Sequence, residues 1–84
     1  MGAYEETIDS IKGRLKVLEK GMVSEKNSVQ FYQTLMEKTP ADSEEGVGMR
    51  SMYEELMNEE KKHVEKFETL TRLWKGKLKE MEHE

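Results

Sequence analysis

Three residues of this chain have the types and spacing to do chemistry: Glu25, Glu60 and His63. Glu60 and His63 stand three positions apart, so on a helix they project from one face as neighbours. That face is otherwise apolar, with Met49, Met52 and Leu56 before the pair and Phe67, Leu70 and Trp74 after it. Steps of three and four residues are the period of a buried helical stripe. Ionisable groups in the middle of such a stripe are costly to bury without compensation. Carboxylates and an imidazole converging on one point are a metal donor set. With no Cys in the chain, an oxygen-rich, imidazole-capped site suits iron or manganese better than structural zinc.

The elements that must position these groups read as two long helices. Over about Tyr4 to Lys38 the apolar positions are Ile8, Ile11, Leu15, Leu18, Met22, Val29, Tyr32 and Met36, with Glu25 completing the alternation of three and four. This is a heptad-like seam with one carboxylate in it. Gly13 and Gly21 weaken the helix by roughly 1 kcal/mol each relative to Ala, and Gly21 is expected to allow either a kink or a close helix crossing. Thr39-Pro40 closes the segment, because the residue before Pro disfavours the helical region. The loop is expected at about 39–43, with Asp42 and Glu45 as a capping box and Ser43 as the competing cap.

The second helix is expected over about 44–81, loose at Gly46 and Gly48 and secure from Met49, with fraying at Gly76. The charged end from Glu80 to Glu84 is expected to be disordered. A short loop folds the two helices into an antiparallel hairpin. Glu25 lies 41 − 25 = 16 residues before the loop centre and Glu60 lies 60 − 42 = 18 after it, which puts Glu25 at the depth of Glu60 and His63.

Composition bounds the rest. The chain has 84 residues, 38% charged and 35% hydrophobic, which is one small all-α domain with few of the β-branched and aromatic residues that sheets favour. Two helices alone enclose little interior, so stability is expected from self-association, at least a dimer. A net charge of −4, with Lys and Arg dispersed among Glu, argues against nucleic acid as a partner. No apolar run reaches the ~20 residues of a membrane span. No signal peptide is visible, and position 6 is Glu where a myristoylation motif needs Ser or Thr. A cytoplasmic protein with no membrane partner is the expectation.

Glu25 with Tyr32 seven residues on, followed by Glu60-Lys61-Lys62-His63 on the next helix, resembles the rubrerythrin and ferritin-like family, whose bundles hold two metal ions with this ligand pattern. The similarity runs from Ser24 to Leu70, over half of the chain. It implies a four-helix bundle with two irons, manganese being the other candidate, reacting with oxygen or peroxide. Carried over by residue, Glu25 and Glu60 would be bridging or terminal ligands and His63 a terminal ligand, these three being the catalytic set. Tyr32 would hydrogen-bond a ligand from behind.

A family member carries both halves of the bundle in one chain, whereas this chain resembles a single half, as the short encapsulated ferritins do. The implied site is therefore shared between two subunits, with two irons per dimer and ferroxidase or peroxide-reducing chemistry. The other reading is a non-enzymatic helical dimerisation module, in which the same polar residues fix register across the seam.

Overall fold

The structure is a computed structural model and describes residues 6–83. It contains two helices, α1 over Ile8–Lys38 and α2 over Glu44–Glu82, folded back on each other. The expected helical hairpin is therefore present, with its loop at 39–43. The expected helix start near Tyr4 lies outside the described residues, and α1 itself begins at Ile8. The reason is local. Thr7 is extended and its side chain accepts a hydrogen bond from the Ser10 amide, while Ser10 Oγ accepts from the Thr7 amide at 2.9 Å. This reciprocal capping box satisfies two of the amides that a helix start leaves without partners.

At the other end of α1, Thr39 is extended before Pro40, and its hydroxyl donates to the Leu35 carbonyl at 2.6 Å. Ser43, not Asp42, caps α2, its Oγ accepting from the Gly46 amide at 3.0 Å. The opening of α2 is also firmer than glycines at 46 and 48 led us to expect, since the helix is regular from Glu44. Gly46 is buried, and a β-carbon there would overlap the Pro40 carbonyl oxygen. Glycine at this position lets the turn pack directly on the first turn of α2.

Neither Gly21 nor Gly76 interrupts its helix, and α2 runs through the end that was expected to be disordered, as far as Glu82. Gly21 instead serves the close crossing, lying against the Phe67 ring. At the open end of the hairpin, Arg14 pairs with Glu6 at 2.6 Å and stacks over Trp74 of α2, 4.2 Å from the ring centre. A cation over an aromatic face is attracted by the ring quadrupole, so this contact ties the first turns of α1 to the last third of α2.

The α1 seam is the one read from the sequence: Ile8, Ile11, Leu15, Leu18, Met22, Glu25, Val29, Tyr32 and Met36 are all buried or half-buried. The α2 seam is rotated from expectation. The buried and half-buried residues of α2 are Gly46, Arg50, Tyr53, Leu56, Met57, Glu60, Val64, Phe67, Thr71, Trp74, Leu78 and Met81. Of the expected stripe, Met49, Met52 and Leu70 are 46%, 49% and 42% exposed, and His63 is exposed as well. An α-helix is wide enough to carry two adjacent heptad stripes. The line drawn from the sequence crossed from one to the other.

The hairpin measures 62 × 23 × 14 Å with a radius of gyration of 18.8 Å, against about 12 Å for a compact chain of this length. Among the described hydrophobic residues, only Ile11 and Met57 are buried. No described helix is long and apolar enough to cross a membrane.

Candidate metal centre

Glu60 and His63 lie one turn apart on α2, Glu60 in the seam and His63 beside it, and Glu25 reaches them from α1. The equal depth counted from the loop is realised. His63 Nδ1 stands 3.4 Å from Glu25 Oε2 and 3.8 Å from Glu60 Oε2. One donor atom from each residue lies within 4.8 Å of the other two. With metal–ligand bonds of about 2.0–2.2 Å, two donors on opposite sides of one ion are about 4 Å apart. The three atoms can therefore close on an ion through small side-chain adjustments, without rearrangement of the backbone.

Burial sharpens the case. Glu25 Oε2 is buried and has no hydrogen-bond partner among the described residues. Its 3.4 Å approach to His63 lacks hydrogen-bond geometry and is an electrostatic contact only. A buried carboxylate oxygen without a donor is costly, and a cation between the three side chains would compensate it. Glu25 and Glu60 side chains are 25% and 23% exposed and His63 is 50% exposed. The imidazole thus sits at the rim with its Nδ1 turned to the carboxylates. The donor chemistry, two carboxylates and one imidazole, fits iron or manganese.

Tyr32, expected to hydrogen-bond a ligand, lies two turns nearer the loop. It is half-buried and packs edge-on against Phe31, with ring centroids 5.6 Å apart. Its hydroxyl makes no hydrogen bond to Glu25, Glu60 or His63 in the described structure.

The two flanks of the hairpin differ beside the site. On one flank a groove of about 290 Å³ is lined by Glu25, His63, Lys66, Phe67 and Leu70. Met49, Met52 and Leu70 are exposed on α2. The other flank presents Lys26, Lys61, Glu65 and Glu68 around Val29 and Val64. Of the exposed apolar residues, Leu70 lies in the groove where His63 and Glu25 are reached.

Sequence reasoning missed the seam positions Val64 and Thr71. The regular alternation Met57, Glu60, Val64, Phe67, Thr71, Trp74 was available to find them, but Met49 and Met52 drew the line elsewhere. Comparison with protein-family models, with curated proteins and with solved structures finds no match to this chain.

Proposed function

We propose that this hairpin is half of a ferritin-like four-helix bundle, completed by a second copy of the chain. The two copies would hold a pair of iron ions between Glu25, Glu60 and His63 of each, for oxidation of ferrous iron by dioxygen or peroxide. On this reading the chain is a half-bundle relative of the rubrerythrin and ferritin-like proteins. The observation that carries it is the buried, unpartnered Glu25 Oε2 turned towards Glu60 and His63 across the seam.

Two further observations support the dimer. Three donor residues leave one ion short of the four to six ligands such ions take, and a two-fold copy on the flank where His63 is exposed would let two ions share carboxylate oxygens from both chains. The surface is also too large for a finished domain. The chain exposes 6652 Å², where a compact 9.9 kDa protein exposes about 5,200 Å². The excess is on the scale of a stable interface, and Met49, Met52 and Leu70 are the apolar residues it would cover.

The protein's part in the reaction follows from charge and position. Four carboxylates from two chains balance two divalent ions, so ferrous iron enters a site close to neutrality. Glu25 and Glu60, on different helices, would hold the ions together with His63, whose Nδ1 faces them from the rim. Phe67 and Leu70 line the groove beside Glu25 and His63. The two ferrous ions, as substrate, would supply two electrons, which with two protons reduce dioxygen to hydrogen peroxide or hydrogen peroxide to two waters.

The second reading, a non-enzymatic dimerisation module, is favoured by one observation. His63 lies within 4 Å of both carboxylates and, when charged, would pair with them to fix register without any metal. Iron titration followed by absorbance separates the two. The metal reading expects saturation with an oxidation-linked absorbance change, and the register reading expects neither.

A further inference from the structure

Gly21 and Phe67 meet across the seam one turn from the donors. Gly21 is four residues before Glu25 on α1, and Phe67 is four residues after His63 on α2. A β-carbon at position 21 would stand 2.6 Å from both Cε1 and Cζ of the Phe67 ring, far inside the ~3.5–4.0 Å of ordinary carbon contact. The ring fills the space that a side chain at position 21 would occupy. Among the described residues no glycine has a positive φ, so Gly21 serves close approach and not a special backbone conformation. Phe67 also lines the groove that holds Glu25 and His63.

We propose that the seating of Phe67 on Gly21 determines metal specificity, by setting the separation of α1 and α2 at the donors and so sizing the site for small transition-metal ions over calcium. The inference rests on the reading of Glu25, Glu60 and His63 as ligands. Transition ions bind oxygen and nitrogen at about 2.0–2.2 Å, calcium at about 2.3–2.6 Å and with more oxygens. Glu25 stands on one helix and Glu60 and His63 on the other, so the separation of the helices bounds how far side-chain adjustment can widen the donor triangle. A methyl group at position 21 forces either the ring or the helix to move, and both lie one turn from the ligands. Phe67 acts through Glu25 and His63 and is a positioning residue.

The test compares cobalt(II) and calcium binding to the full-length chain by calorimetry, with circular dichroism as the check on folding. In Gly21→Ala, cobalt affinity should fall by about tenfold or more, the scale on which supporting contacts act on metal sites, while calcium affinity stays level or rises. Phe67→Leu, which empties the seat and leaves the helix separation unfixed, should bring the two affinities closer together by loosening the site, and is the variant to read if Gly21→Ala does not fold. The double variant refills the seat with the alanine methyl and should recover the wild-type ratio. An unchanged ratio in the folded single variants overturns the inference. So does an equal fall for both ions, which marks a merely structural role, or a double variant without recovery. If the wild type binds neither ion, the ligand assignment itself falls, and that result is distinct from binding with unaltered selectivity.

Discussion

His63 Nδ1 lies 3.4 Å from Glu25 Oε2 across the helix seam, and the carboxylate oxygen it faces is buried without a hydrogen-bond donor. With Glu60 as the third residue, the cluster is the one proposed above to hold a metal ion. Replacing either Glu60 or His63 by Ala removes one of three donors per chain. Each change is expected to weaken iron binding by at least the 10–100-fold typical of disturbed metal sites. Calorimetric titration of the two variants checks this, and wild-type affinity in both would remove them from the site.

Without metal, the same three residues are a liability to the fold. Glu25 and Glu60 set two carboxylates close together at a seam. Changing Glu25, Glu60 and His63 together to Leu should leave the hairpin folded and raise apo stability by about 1 kcal/mol, the low end for apolar replacement of buried charge because these groups are a quarter to a half exposed. Iron should raise the melting temperature of the wild type, since it binds the native state alone, and leave the triple variant unmoved. Thermal melts with and without iron measure both effects.

The glycines separate by their surroundings. A β-carbon at Gly46 overlaps the Pro40 carbonyl oxygen, whereas none would meet any atom within 4 Å at Gly13 or Gly76. Gly46→Ala is expected to destabilise by about 1–3 kcal/mol, as overpacking does. Gly13→Ala and Gly76→Ala should each stabilise by roughly 0.5–1 kcal/mol through helix propensity and a restricted unfolded chain. Urea unfolding of the three variants reads the difference in sign.

Acid should loosen the open end of the hairpin first. Hydrogen bonding to Arg14 holds the Glu6 carboxyl below its ordinary value of 4.5. A depressed carboxylate contributes stability above its unfolded-state pKa and loses it as pH falls through the folded value. The Glu6–Arg14 contact should therefore be intact near neutrality and disappear below 4.5, removing the carboxylate from the guanidinium that stacks on Trp74. Tryptophan fluorescence should report this as an acid transition that Glu6→Gln abolishes.

How much was legible in the sequence differs between the helices. Each seam position of α1 could be read, because its seam residues repeat at steps of three and four from Ile8 to Met36, while Val17, Val23 and Phe31 lie off that line and are exposed. On α2 two stripes carry apolar side chains. Met49, Met52 and Leu70 lie beside the seam while Met57, Val64 and Thr71 lie in it, and periodicity cannot tell a residue facing the partner helix from one facing a second copy. The level of Glu25 with Glu60 and His63 was readable, since it needs only residue counts from the loop. The choice of Ser43 over Asp42 as cap was not, because it turns on the packing of Gly46 against Pro40. Gly21 showed a departure from helix propensity, but its use became visible only with the Phe67 ring in place.

The most direct measurement is native mass spectrometry of the purified chain during anaerobic ferrous titration, followed by admission of oxygen. A four-helix assembly with a shared centre predicts a dimer, or a multiple of it, saturating at about one iron per chain, with an absorbance change on oxidation. Both should disappear in His63→Ala. A monomer that takes up no iron, or a dimer whose mass and absorbance ignore it, would contradict the shared metal centre.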